Sequence, residues 1–279
     1  MSTPRYSRPF WAMRRFARLG IELARGTAWD LADSLRGRRE PLTPPRRLFH
    51  LIGSPNLKFH ASGQEFRDFL IQNGLEPQHR LLDVGCGLGR LAVALMGYLD
   101  NGGSYDGFDI MPPTIRWCRR ITDADPRFRF KLVDLHSDRY HPGGEAQASR
   151  FVFPYRDNTF DFVVLGSVFT HLLPDDMRNY LAEIARVTKP GGRCVISWYL
   201  LTPEAREAAA RGAGLYSFAH AGDGYWAEDP KLPEAAIAFD EAEIMTLYDR
   251  LGFEVGARYP GLWSGAKVGS QDVVVAQKR

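Results

Sequence analysis

Leu81-Leu82-Asp83-Val84-Gly85-Cys86-Gly87-Leu88-Gly89-Arg90 reads as a buried strand running into a glycine-rich turn and then a helix. Glycines at 85, 87 and 89 permit strained dihedrals and close approach of the backbone to a ligand, and the helix start offers unpaired amides. A tight strand-helix turn uses glycine too, so the flanking sequence has to decide. Asp109 ends the next strand twenty residues beyond Gly89, where a carboxylate can accept hydrogen bonds from both hydroxyls of a ribose. Asp134 ends a third strand at the same edge and can accept from an exocyclic amine. Acids at 83, 109 and 134 suit a ligand with a ribose, an amine and a positive charge; a pyrophosphate would be repelled.

Outward from this loop, strand-like and helix-like stretches alternate. Strands are predicted over 80–84, 104–109, 128–134, 160–165, 193–199, 253–258 and 271–276, and helices over 63–74, 90–99, 112–121, 174–188 and 241–251. The helix over 174–188 carries Met177, Tyr180, Leu181, Ile184 and Val187 on one face and stops at Lys189-Pro190-Gly191-Gly192. Asp240 and Glu243 have the spacing of a capping box. Such alternation predicts an α/β fold, a doubly wound and mostly parallel sheet. Two connections, 135–158 and 200–239, exceed the usual two to six residues and follow the carboxyl ends of strands, where open sheets of this kind bind ligands.

The chain of 279 residues is 44% hydrophobic and 25% charged, an ordinary globular balance. Its net +3 is unevenly spread: residues 1–47 hold eleven arginines, no lysine and four acids, a net +7 that leaves −4 on the rest. Residues 1–60 are expected to form a basic helical extension and linker, closed by Pro44-Pro45, ahead of a domain over 61–279. Trp11, Phe16, Leu19, Leu23 and Trp29 among arginines fit an amphipathic helix, either packed over the body or in peripheral contact with an anionic membrane. Cys86, Cys118 and Cys194 form no CxxC pair, so neither a disulfide framework nor a metal site is expected, and a reducing, cytoplasmic location follows. The acidic body offers no basic groove, so no nucleic-acid partner is expected.

The segment 81–199 resembles the core of the class I S-adenosylmethionine-dependent methyltransferases. The resemblance rests on the glycine loop, on acidic Asp109, on Asp161-Phe162-Val163-Val164-Leu165-Gly166-Ser167, and on Tyr180-Leu181-Ala182-Glu183-Ile184-Ala185-Arg186-Val187 leading into Lys189-Pro190-Gly191-Gly192-Arg193. It implies a Rossmann-like sheet of seven strands, the last antiparallel, and S-adenosylmethionine as cofactor. It further implies that Gly85, Cys86, Gly87 and Gly89 approach the methionine end, that Asp83 helps hold its amino group, and that Asp109 with Ile110 holds the ribose. Asp134 would take the adenine amine, Leu135 would lie on the ring, and the Gly166-Ser167 backbone would border the sulfonium. Tyr140-His141-Pro142, Trp263-Ser264-Gly265 and Gln271-Asp272 resemble flanks seen in a bacterial set of these enzymes.

For a hydroxyl acceptor a general base would help. His171, six residues beyond Leu165, is the first candidate, although a helix-start histidine satisfied by backbone fits as well. His136 in the first long connection is the second. No Asn/Asp-Pro-Pro-Tyr/Phe stands after the fourth strand, where the sequence is Leu165-Gly166-Ser167-Val168-Phe169-Thr170, which argues against amino-directed nucleic-acid and glutamine methylation. O-methylation of a small-molecule, carbohydrate-like or lipid-linked acceptor is the reading this leaves. A nucleoside- or partner-binding protein of the same fold without turnover is one alternative, and a nicotinamide-dependent oxidoreductase another. The latter favours Gly-x-Gly-x-x-Gly over the Gly85-x-Gly87-x-Gly89 found here.

Overall fold

The computed structural model describes residues 9–37, 40–52, 58–211, 214–264 and 270–279, without side chains at 9–19, 21–22 and 264. Of the features read from the sequence, residues 1–8 of the basic segment, the side chains of Trp11, Phe16 and Leu19, and Gly265 lie outside the described residues.

Seven strands make the main sheet: β1 (Arg80–Val84), β2 (Ser104–Asp109), β3 (Phe128–Leu132), β4 (Phe160–Leu165), β5 (Thr188–Trp198), β10 (Phe253–Tyr259) and β11 (Asp272–Lys278), in the order β10-β11-β5-β4-β1-β2-β3. The first five run parallel, and β11 lies antiparallel to both β5 and β10. Side chains alternate across the sheet, so each strand feeds two cores. On one face Leu82, Val84, Val163, Leu165, Ile196 and Trp198 meet α6 (Pro174–Val187) and α8 (Glu241–Arg250). On the other, Leu81, Tyr105, Phe162, Val164 and Val195 meet α3 (Phe59–Gln72), α4 (Arg90–Leu95) and α5 (Pro112–Thr122). This is the doubly wound α/β fold expected.

The stripe of α6 is buried at all five positions, Met177, Tyr180, Leu181, Ile184 and Val187, and acids Asp175 and Asp176 stand in its first turn, where the helix dipole favours them. At the start of α8, Asp240 accepts the amides of Ala242 (3.0 Å) and Glu243 (3.4 Å). The Glu243 side chain instead meets Arg178 Nη2 at 2.8 Å, so only half of the capping box forms.

Several boundaries move. The helix read over 63–74 runs Phe59–Gln72, and the strand read over 128–134 stops at Leu132. Lys189-Pro190-Gly191-Gly192 does not form a separate turn but opens β5, which begins at Thr188; the prolyl residue is tolerated at a strand's start, where the register against β4 also shifts. Most of all, 200–239 is not a plain loop. It contains β6 (Leu200–Leu201), α7 (Pro203–Ala210), β7 (His220–Ala221), β8 (Trp226–Ala227) and β9 (Ile237–Asp240), and these strands form a second sheet in the order β6-β9-β8-β7. Tyr199, Phe218, Ala238 and Trp263 give that sheet its own core.

At the N-terminus α1 (Pro9–Leu35) is fastened to α2 (Arg46–Phe49) by buried Asp30, which accepts from the Arg46 amide at 2.6 Å and Arg47 Nη1 at 2.7 Å. A Cβ at Gly26 would stand 2.6 Å from the Arg47 backbone, so glycine permits that contact. Phe49 then packs on Phe59 and Leu88, joining the segment to the glycine loop.

Candidate active site

A cavity of about 540 Å³ opens at the carboxyl edge of β1, β2 and β4, within the size range of small-molecule sites. Its floor is the glycine loop. Gly85 has φ +74°, and a Cβ there would stand 2.4 Å from the Val168 side-chain methyl Cγ2, so both the backbone conformation and the packing of that side chain favour glycine. Gly87 (φ +52°) lies below Ile52, which with Phe59 brings the N-terminal segment into the cavity wall.

Asp109, at the end of β2, closes the loop from the side: its Oδ2 accepts the Gly87 amide and its Oδ1 the Met111 amide, each at 2.9 Å. Burial raises its pKa, and the amides of Met111, Gly87 and Ile110 oppose that. A carboxylate has about four acceptor sites, so lone pairs remain for two hydroxyls. Asp109, Ile110, Leu135, Gly85, Cys86, Gly87, Gly166 and Ser167 all line the cavity, together with His136 and His171.

Three expected residues stand elsewhere. Asp83 is buried beneath the loop, where Tyr105 donates its hydroxyl to Oδ2 at 2.5 Å; desolvation pushes its pKa up to about 6 against the lowering effects of Tyr105 and Arg90. Gly89 (φ +72°) serves packing, since a Cβ would stand 2.9 Å from Cys118 Sγ. Asp134 is turned out of the cavity. Past the end of β3 the chain keeps its alternation, with Val133 and Leu135 buried and Asp134 exposed between them, and its Oδ1 lies 2.9 Å from His141 Nε2. The leucine, not the acid, faces the ligand space.

His171 ends a 3-10 turn after β4, with Nδ1 2.8 Å from the main-chain oxygen of Glu234 and Nε2 3.5 Å from Tyr140 Oη. Desolvation and then the positive charge of Arg139 bring its pKa down to about 4, so the ring is neutral at pH 7. His136 is exposed at the rim, 3.4 Å from Asp138. Ser167 holds φ +59°; its amide donates to Ser197 Oγ (2.6 Å) and its hydroxyl to Gln271 Oε1 (2.8 Å), while Gln271 Nε2 reaches Tyr199 Oη at 3.4 Å. A non-glycine residue at positive φ costs roughly 1–3 kcal/mol and tends to mark functional sites.

The sequence reading passed over Arg90, Arg139 and Tyr199, which also line the cavity. Arg90 directly follows the third glycine, and its guanidinium is largely desolvated yet coulombically favoured by Asp83. That position was readable; those of Arg139 and Tyr199 depend on how the long connections fold.

Fold and site together define a domain with a cavity set between a glycine loop and the acid ending its second strand. Residues 82–196 match the family model described as a methyltransferase domain. A demethylmenaquinone methyltransferase of Shouchella clausii is 33% identical over 140 residues, 50% of this chain and 52% of that relative. The chain thus spans about half the length of the curated relatives it matches. A solved SAM-dependent methyltransferase from Methanosarcina mazei is 24% identical and covers 75% of this chain and 96% of its own, with a TM-score of 0.51. Magnesium protoporphyrin IX methyltransferase from Synechocystis, solved with bound SAH, is 14% identical over 79% of this chain and 83% of its own, again at 0.51. At these identities the two structures speak for the fold.

Proposed function

We propose that the protein transfers a methyl group from S-adenosylmethionine to a hydroxyl oxygen of a small organic acceptor. The observation that carries this reading is the joint placement of the Gly85–Gly87 loop and Asp109 around one cavity. Bound S-adenosylmethionine supplies a methyl group on a sulfonium, already an electrophile. The chain then has to orient and exclude water. Asp109 would hold the ribose hydroxyls, Leu135 the adenine face, and the Gly85-Cys86-Gly87 backbone the methionine end, with Arg90 opposite the carboxylate. Asp83, behind the loop, would act on the ammonium as a field and not as a direct contact.

Beyond Ser167, the aromatic rings of Tyr140, Tyr199 and Tyr216 and the imidazole of His171 line the remaining space. These rings favour a flat, partly apolar acceptor over a sugar. His171, neutral and with its unprotonated Nε2 beside the Tyr140 hydroxyl, would take the acceptor's hydroxyl proton; so weak a base suits an acidic hydroxyl. The resemblance to demethylmenaquinone methyltransferases over half of the chain supports a small, lipid-like acceptor. Incubating the full chain with methyl-labelled cofactor and an extract of small molecules tests the reading: label in an O-methyl product supports it, and label confined to carbon or nitrogen overturns the choice of oxygen.

Peripheral contact with an anionic membrane, from the cytoplasmic side, belongs to the same proposal. Trp29, Leu31 and Leu35 of α1 are 55%, 62% and 80% exposed beside an arginine-rich segment, an apolar and cationic combination suited to a lipid surface. Among the described residues no helix is long and apolar enough to cross a membrane.

A further inference from the structure

We propose that Glu234 is the positioning residue that presents the Nε2 lone pair of His171 to the cavity, by fastening both long connections around that ring. The inference rests on the reading of His171 as the group at the acceptor end.

Glu234 uses two ends. Its main-chain oxygen lies 2.8 Å from His171 Nδ1, and a carbonyl can only accept, so Nδ1 carries the hydrogen. A neutral imidazole has one N–H, and Nε2 is then the unprotonated nitrogen. Its carboxylate meets the other connection: Oε2 accepts from the Ser137 hydroxyl (2.6 Å) and the Arg139 amide (3.1 Å), and Oε1 from the Asp138 amide (3.2 Å). Three donors on one exchangeable side chain fix 137–139 in place.

What that segment carries is the wall facing Nε2. The Arg139 guanidinium donates to the Ala235 carbonyl at 3.2 Å and lies 5.1 Å over the Tyr140 ring. Tyr140 stands edge-on to His171, with ring centroids 5.5 Å apart. The carboxylate of Glu234 therefore sets the partners of Nε2, while its carbonyl sets the proton on Nδ1. If the staple is released, the short turn over 233–235 and the segment 137–139 lose their mutual reference, and either ring nitrogen can carry the hydrogen.

The test reads the tautomer directly. Long-range proton–nitrogen spectra of the full chain with nitrogen-labelled histidine, at pH 7, are compared between wild type, Glu234→Ala and Ser137→Ala, with His171→Asn identifying the His171 signals. The expected result is a single Nδ1–H tautomer in wild type and a mixture of both neutral tautomers in Glu234→Ala, with a smaller shift in the same direction in Ser137→Ala. A pure Nδ1–H tautomer retained in Glu234→Ala overturns the proposal; if that variant does not fold, Ser137→Ala decides by the same criterion. Calorimetry with S-adenosylhomocysteine on the same samples keeps the cases apart. Failure of wild type to bind it sinks the functional reading, while unchanged affinity in the variants with an altered tautomer supports a role confined to the acceptor end.

Discussion

Asp109 Oδ2 accepts the backbone amide of Gly87 at 2.9 Å, so the acid that would read the ribose also holds the glycine loop that would read the methionine end. The two halves of the proposed cofactor site are one mechanical unit. Asp109→Ala is expected to weaken S-adenosylmethionine binding by about tenfold to a hundredfold, or about 1.4–2.8 kcal/mol, with the fold intact by circular dichroism. Asp109→Asn, which keeps one acceptor, is expected to fall between. Titration calorimetry measures both, and an unchanged affinity in the alanine variant removes the ribose role.

The pKa of His171, brought down to about 4 by burial and Arg139, gives a pH signature with a definite sign. Above about 6.5 the ring is neutral folded and unfolded; as pH falls from there through 4, the unfolded chain takes the proton first and stability is lost, by up to about 3 kcal/mol. Chemical denaturation from pH 7 to 4 is expected to show a steeper loss in wild type than in His171→Asn. The methyl-transfer rate is expected to lack a limb near 6.5. An ordinary histidine limb there contradicts the burial argument.

Asp272 ties the second sheet to the first. Buried at the start of β11, it accepts from the Leu200 amide (2.7 Å), Trp263 Nε1 (2.7 Å) and the Gly261 amide (2.8 Å). Asp272→Ala takes that acceptor from all three donors, and a loss of about 3 kcal/mol or more is expected by denaturant titration. Tryptophan fluorescence follows the indole of Trp263, and a loss under about 1 kcal/mol would mean the cluster is held by packing alone.

Exposed Leu31 and Leu35 would make the proposed membrane contact separable from the site. The full chain is expected to sediment with vesicles rich in anionic lipid, not with zwitterionic ones, and to be released by salt. Leu31→Glu with Leu35→Glu is expected to weaken sedimentation by about 2 kcal/mol or more without changing cofactor affinity. Equal sedimentation with both vesicle types contradicts the electrostatic part.

The order of the main sheet was legible because long apolar strands alternate with helices such as α6, whose stripe is buried at every expected position. Gly85, Gly87 and Asp109 were legible for a related reason: strand ends fix where those backbones must lie. Asp134 misled, because the strand stops two residues earlier and the persisting alternation turns Leu135, not the acid, inward. The second sheet escaped notice since two-residue strands such as β7 and β8 carry no periodicity. Glu234 was invisible for the same cause: its partners Ser137 and His171 lie 97 and 63 residues away, joined only by tertiary folding.

Titration calorimetry of the full chain with S-adenosylmethionine, S-adenosylhomocysteine and NAD tests the cofactor site most directly. Saturable one-to-one binding of the first two, with no heat from NAD, is the predicted result. Silence toward both adenosyl compounds up to millimolar concentration, in a folded sample, would contradict the account.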